Sequence, residues 1–100
     1  MDFTISGRHV EVTEAIHDYA EKKTSKLPRY YDRIQEISVV IDRRDREFEV
    51  ELEVDVEHAT PFRSRGKGDD LYRCIDEAVD KAERQLTDHK EKIRNRKHQS

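Results

Sequence analysis

The feature that most constrains the fold is a strict alternation of apolar and acidic residues between positions 47 and 57. Its apolar members are Phe48, Val50, Leu52, Val54 and Val56, and its acidic members are Glu47, Glu49, Glu51, Glu53, Asp55 and Glu57. Successive side chains of a β-strand point to opposite faces of a sheet, so this segment predicts a strand with one face in a core. The other face is solvated and strongly acidic, which indicates a sheet that is covered on one side only.

The segment after this strand carries the opposite charge at the same spacing. Its basic residues are Arg63, Arg65 and Lys67, each of which follows an uncharged residue. We expect a hairpin through residues 58–61 to place these cations beside the carboxylates, where cross-strand pairing offsets the repulsion. The alternative interpretation is that the acidic face docks a basic protein partner.

The last third of the chain predicts one long amphipathic helix. Apolar residues recur there at spacings of three, four or seven: Leu71, Ile75, Ala78, Val79, Ala82, Leu86 and Ile93. Asp69 or Asp70 can cap its first amides. From Arg84 onward, basic residues outnumber Asp88 and Glu91. A helix of this kind packs along one side and can present cations to a polyanion.

Local signals predict the first strand and the first helix. Phe3 and Ile5 alternate with polar residues in a short strand that ends at Gly7. Thr13 is a candidate N-cap for the first helix. We expect Pro28 to end this helix, because the residue before a proline avoids the helical conformation.

The predicted order of elements is β-α-β-β-β-α. A second strand is expected over residues 34–41, and residues 42–46 are too polar for anything but a hairpin tip. Because each helix has one apolar face, both should cover the same face of a four-stranded mixed sheet in an α+β two-layer sandwich. We expect a single domain over residues 1–95 and a short basic tail over residues 96–100.

Composition limits the classes of protein that this chain can belong to. Charged residues make up 43% of its 100 residues, but the net charge is only −3, so the distribution of charge matters more than its sum. The N-terminus lacks the pattern of a secretory signal, and no segment has the length of a membrane span. The single cysteine, Cys74, suits a reducing cytosol and is expected to be a small residue at the edge of the core.

Signals for enzymatic chemistry are weak. The five histidines show no metal-ligand spacing with Cys74 or with one another, and no glycine-rich phosphate loop is present. The regular, exposed carboxylates of the third strand do not resemble a pair of catalytic acids in a cleft. We therefore expect no catalytic residues, no metal and no cofactor.

Basic residues on the two helices are better candidates for a binding site. The first helix carries Lys22, Lys23 and Lys26, and like charges at this spacing destabilise a helix slightly unless an external anion binds them. Lys81 and Arg84 on the second helix could complete one cationic groove; the alternative is that these cations only solvate helix surfaces.

Aromatic residues that could stack on bases are few. Tyr30, Tyr31 and Tyr72 are available, but each is equally suited to packing at the core. Recognition of phosphates and of the shape of structured RNA is therefore a better interpretation than stacking on single strands.

Three motif groups together resemble the ribosome hibernation promoting factors, which include the ribosome-associated inhibitor and proteins once described as sigma-54 modulators. The first is Gly7 with residues 10–16, and the second is Lys26-Leu27 followed by residues 31–34. The third, and most specific, consists of Asp70-Leu71-Tyr72, Ile75-Asp76, Asp80-Lys81, Arg84-Gln85-Leu86 and His89-Lys90. The family fold is the β-α-β-β-β-α arrangement expected above.

The resemblance implies binding to rRNA in the mRNA and tRNA channel of the small ribosomal subunit, across the A- and P-site region. Translation would be silenced there in stationary phase or stress, in the cytoplasm. The basic positions that the resemblance assigns to rRNA are Lys23, Lys26 and Arg29 on the first helix and Lys81, Arg84, Lys90 and Lys92 on the second; Lys22 is an addition to them. Asp88 is a departure, because close relatives often carry lysine there.

The resemblance also concerns partners. The chain looks like a short form without the extra domain by which long forms pair ribosomes, and we expect a monomer when it is free. Short forms either help a second small factor to pair ribosomes or prevent pairing, and the basic run at residues 94–97 favours the first. A different function class stays open, in which the acidic sheet face makes the protein a protein-interaction regulator of transcription.

Overall fold

The computed structural model describes residues 2–98, with side chains up to Arg94. Its elements are β1 (Asp2–Arg8), α1 (Glu14–Thr24), a 3₁₀ turn (Leu27–Arg29), β2 (Ile34–Arg44), β3 (Glu47–Val56), β4 (Phe62–Gly68) and α2 (Leu71–His98). The predicted β-α-β-β-β-α order is confirmed.

The four strands form one sheet in the order β1-β2-β3-β4. β1 is parallel to β2, and the remaining pairs are antiparallel. One row across the sheet joins Ile5, Val39, Leu52 and Ser64, and all of its members except the half-buried Ile5 are buried. The apolar face of the sheet is therefore the inner face, and the helices cover it.

The outer face of the sheet carries the expected cross-strand ion pairs. Arg65 lies 3.8 Å from Glu49 and 3.7 Å from Glu51, and Lys67 lies 3.6 Å from Glu47. These pairs are long and solvated, so each contributes little to stability. Their effect is to offset the repulsion along the acidic row of β3.

The hairpin between β2 and β3 is tighter than the sequence suggests. The predicted tip at residues 42–46 is wrong, because β2 continues to Arg44 and leaves only Asp45 and Arg46 in the turn. Asp45 has a φ of 57°, in the left-handed region that two-residue hairpin turns use. Polar residues at the end of a strand on a solvated face are compatible with pairing, which is why polarity alone misplaced the boundary.

The first helix begins as predicted but ends earlier. The Thr13 hydroxyl accepts a hydrogen bond from the backbone N–H of Ile16 at 3.2 Å. At the other end, Thr24 donates to the carbonyl of Ala20 at 2.9 Å and Ser25 donates to the carbonyl of Lys22 at 2.6 Å. The Ser25 hydroxyl satisfies the carbonyl of Lys22, one of the last four of the helix. α1 ends at Thr24, and Pro28 lies in the following 3₁₀ turn.

The second helix packs on β3 and β4. Asp70 caps it by accepting from the backbone N–H of Tyr72 at 3.1 Å, and Ser64 of β4 donates to the carbonyl of Ala78 at 2.7 Å. Cys74 is only 2% exposed, so it lies in the core rather than at its edge, and burial raises the pKa of its thiol.

The described part of α2 continues without a break past the boundary that was predicted between residues 95 and 96. Side chains of the predicted tail, and residues 99 and 100 altogether, lie outside the described residues. Within the described range, neither helix combines the length and the apolar character needed to cross a bilayer.

The absence of a side chain at Gly66 lets the backbone of α2 lie close to β4. A Cβ atom at this position would lie 1.9 Å from the carbonyl oxygen of Cys74, whereas a Cβ at Gly68 would lie 3.8 Å from the Cys74 sulfur. We expect Gly66→Ala to lower the free energy of unfolding by about 1–3 kcal/mol, because α2 must move away from β4. Gly68→Ala is the matched control for denaturant titrations, and equal stabilities of the two variants would contradict the close-approach argument.

Candidate nucleic-acid interface

Asp76 of α2 anchors the first helix to the second. The Tyr19 hydroxyl donates to Asp76 Oδ1 at 2.6 Å, and Lys23 Nζ lies 3.2 Å from the same oxygen. Tyr72 packs edge-on against Tyr19 with ring centroids 4.8 Å apart. The hydrogen bond to Asp76 is the main reason that the pKa of Tyr19 rises to about 12. Lys23, a predicted RNA-binding residue, is therefore held by a carboxylate of the same chain.

Lys26 is held in the same way. Its Nζ lies 3.0 Å from Glu83 Oε1, and the hydrogen-bonding carboxylate of Glu83 raises the pKa of the Lys26 ammonium. Lys26 also follows the end of α1 instead of lying on it, and Arg29 lies in the 3₁₀ turn. The two helices thus do not form one continuous cationic groove, because α2 interleaves carboxylates with the lysines.

Lys81 contacts the edge of the sheet. Its Nζ donates to the carbonyl of Arg65 at 2.8 Å and to Glu77 Oε1 at 3.1 Å. Gln85, one turn further along, donates to the carbonyl of Arg63 at 2.8 Å. Both side chains occupy carbonyls of the edge strand β4, which protects that edge from pairing with another chain. Lys81 therefore has a structural role that the sequence did not reveal.

Three other predicted residues are exposed and make no ion pair with a described residue: Lys22, Arg84 and Lys92. Arg84 lines a shallow groove that also contains Tyr30, Asp80, Glu83 and Asp88. Carboxylates around this groove lower its affinity for an anion. Lys22 and Lys92 line none of the clefts described here.

The structure brings Arg29 and Lys90 together at one end of the molecule. They line a cleft of about 500 Å³ with two further cations, Arg33 and Arg94. We call this feature the terminal cleft; its lining is completed by Pro28, Tyr31, Asp32 and Ile93. None of its four cations makes an ion pair with a described residue, whereas Lys23, Lys26 and Lys81 all do.

Two of these cations were missed as site residues. Arg33 lies in the connection before β2, where no helical or strand period indicates a direction for its side chain. Arg94 belongs to the basic end of α2, and the sequence assigns it only to the basic run at residues 94–97, not to the RNA site. Only the packing of the connection against the last turns of α2 brings both of them beside Arg29 and Lys90.

The three candidate tyrosines have different environments. Tyr31 is 7% exposed and packs against the His89 ring with centroids 5.3 Å apart, so it belongs to the core. Tyr30 and Tyr72 are exposed by 37% and 42%. Tyr30 therefore remains available to an external partner, while one edge of Tyr72 is used by Tyr19.

One cluster of possible metal ligands was not anticipated. Ligand atoms of His17, Asp18 and Glu21 on α1 lie within 4.8 Å of one another. The spacing of the histidines relative to Cys74 and to one another does not reveal this cluster, because its other two members are carboxylates. Helical spacing alone accounts for this closeness, and Asp18 and Glu21 are exposed.

Comparisons with known proteins agree with the sequence motifs. A family model described as Sigma 54 modulation protein / S30EA ribosomal protein matches residues 3–94. A ribosome hibernation promoting factor of Azotobacter vinelandii is 37% identical over 92 residues, which cover 92% of this chain and 85% of that protein. The protein of the same name from Escherichia coli (strain K12) is 34% identical over 96 residues, covering 94% and 98%.

A solved structure shares the fold. The N-terminal domain of Protein Y from Thermus thermophilus superposes with a TM-score of 0.78 and 37% sequence identity, and the match covers 87% of this chain and 94% of that domain. The resemblance that the motifs indicated is confirmed by these matches.

The contact between Tyr19 and Asp76 predicts an alkaline titration. Because the pKa of Tyr19 in the folded protein, about 12, exceeds its ordinary value of 10.0, this contact stabilises the fold fully below pH 10. The stabilisation disappears as the pH rises through about 12. Asp76→Asn should lower the pKa of Tyr19 towards its ordinary value, as measured by phenolate absorbance with Tyr19→Phe to assign the signal. Asp80→Asn is the control, and an unchanged Tyr19 titration in folded Asp76→Asn would contradict the assignment.

Proposed function

Since the chain belongs to the Sigma 54 modulation protein / S30EA ribosomal protein family, we propose that it is a ribosome hibernation factor that binds rRNA of the small ribosomal subunit. It occupies the mRNA and tRNA channel and keeps the ribosome translationally silent in stationary phase or stress. The protein acts in the cytoplasm and needs no cofactor. Residues 1–95 supply the ribosome-binding domain.

The observation that carries this proposal is that the cations on one surface are paired with carboxylates, whereas those on another are not. On the outer sheet face, Arg63, Arg65 and Lys67 are paired with carboxylates, so this face offers little free charge to a polyanion. The terminal cleft instead groups Arg29, Arg33, Lys90 and Arg94, which are unpaired with any described residue. When a cation of the protein binds an RNA phosphate, the RNA releases a condensed counterion, and this release contributes a large share of the affinity.

The mechanism is exclusion rather than chemistry. Among the described residues, no nucleophile, base and orienting group come together in a cleft, and the single cysteine is buried with a raised pKa. The 28 residues of α2 extend about 42 Å, and the sequence of its last turns is basic. A body of this shape inhibits in proportion to the ribosomes that it occupies.

The eight predicted contact residues differ in how readily they reach RNA. Arg29, Arg84, Lys90 and Lys92, with Lys22, can bind phosphate directly. Lys23, Lys26 and Lys81 must first exchange an internal carboxylate for a phosphate. The basic end of α2 is also suited to a second small factor that pairs ribosomes. The transcription alternative is not favoured, because β4 neutralises much of the acidic sheet face.

Removal of a free cation tests the proposed surface. We expect Lys90→Gln to weaken co-sedimentation with small ribosomal subunits and to reduce the salt dependence of binding by roughly one counterion. The melting temperature should stay almost constant, because exposed charges contribute about 0–1 kcal/mol. Lys67→Gln on the outer sheet face is the matched control and should bind like the wild type. An equal salt dependence of binding for both variants and the wild type would show that the terminal cleft does not contact RNA.

Removal of an internal carboxylate tests the competition for Lys26. Because Glu83 holds Lys26 at 3.0 Å, Glu83→Gln frees a cation and should raise ribosome affinity several-fold with a steeper salt dependence. Glu49→Gln changes the net charge equally on the outer sheet face and controls for the general electrostatic effect. An equal gain in both variants would show that Lys26 does not contact RNA.

A further inference from the structure

The terminal cleft is lined by apolar residues as well as by cations, and we call the first group its floor and the second its rim. Tyr31, which is buried, and Ile93, which is half-buried, lie in this floor together with Pro28. The rim consists of Arg29, Arg33, Lys90 and Arg94. Its volume of about 500 Å³ falls within the range of small-ligand sites. A phosphate gains no binding energy from apolar surface, so this lining favours a ligand that also has an apolar part.

The acidic residue in the cleft points to the same conclusion. Asp32 lies in the lining among the four cations, and its carboxylate repels a phosphate placed in the centre. The same carboxylate can accept a hydrogen bond from the amino group of a base. A planar base presents an apolar face and polar edges, so it matches a floor of Pro28 and Ile93 beside an acceptor.

We infer that the terminal cleft holds one unstacked base of single-stranded RNA, whose flanking phosphates bind the cationic rim. This inference rests on the proposed function and deepens it by naming the ligand of the cleft. It also revises the expectation that RNA is recognised by phosphates and shape alone. That expectation followed from the scarcity of exposed aromatics, whereas here the base packs on aliphatic and proline surface.

The test compares two strands that differ only in their bases. Fluorescence anisotropy measures the affinity of the whole protein for a short oligocytidylate and for a sugar-phosphate strand of equal length without bases. We expect the wild type to prefer the oligocytidylate about tenfold, the size of one base-packing contact. Ile93→Ala should lose this preference without any change of charge. Lys92→Ala, the control at the adjacent residue, should keep the preference while binding both strands more weakly.

Two further measurements make the outcome decisive. Arg94→Gln should lower the affinity for both strands by the same factor, because it removes a phosphate contact and leaves the floor intact. Equal affinity of the wild type for the two strands overturns the inference, as does the absence of binding to either strand. Co-sedimentation of the wild type with small ribosomal subunits is scored in parallel. Retained co-sedimentation without base preference rejects only the base site, whereas loss of co-sedimentation rejects the proposed function.

Discussion

The structure depends on the packing of one helix against one face of the sheet. The apolar stripe of α2 lies on the inner face of β3 and β4, where Val50, Leu52 and Ile75 are almost completely buried. Burial of such apolar surface is the dominant stabilising term in a domain of this size. Gly66 lets the backbone of α2 lie close to β4, since a side chain there would clash with the carbonyl of Cys74. The hydrogen bond from Ser64 to the carbonyl of Ala78 fixes the position of α2 along the strand. This placement also decides which charged side chains of α2 meet those of α1 and the edge strand β4.

The position of α2 decides which charges are neutralised. Its acidic residues meet the lysines at the end of α1, and its Lys81 and Gln85 cover the carbonyls of the sheet edge. The outer sheet face neutralises itself through β3 and β4. A chain with 43% charged residues and a net charge of −3 therefore still groups four unpaired cations in the terminal cleft. That concentration matters more for binding a polyanion than the net charge does.

Stability and binding share some of the same groups. Asp76 and Glu83 attach the end of α1 to α2, and they also occupy lysines that an RNA phosphate could bind. In the proposed complex, these carboxylates lower the affinity for RNA, since a phosphate has to displace one of them to reach Lys23 or Lys26. The cations of the terminal cleft make no ion pair with a described residue, so the proposed binding there displaces no internal carboxylate.

The sequence by itself determined the order of the elements, the faces of the strands and the caps at Thr13 and Asp70. These features depend on period and on neighbouring residues, which are local information. The tertiary structure alone decided that α1 ends at Thr24, that Lys26 pairs with Glu83, and that residues 28–33 meet residues 90–94 in a cleft. Such contacts join residues far apart in the chain. Their geometry depends on how α2 packs on the sheet, and patterns of neighbouring residues in the sequence cannot predict it.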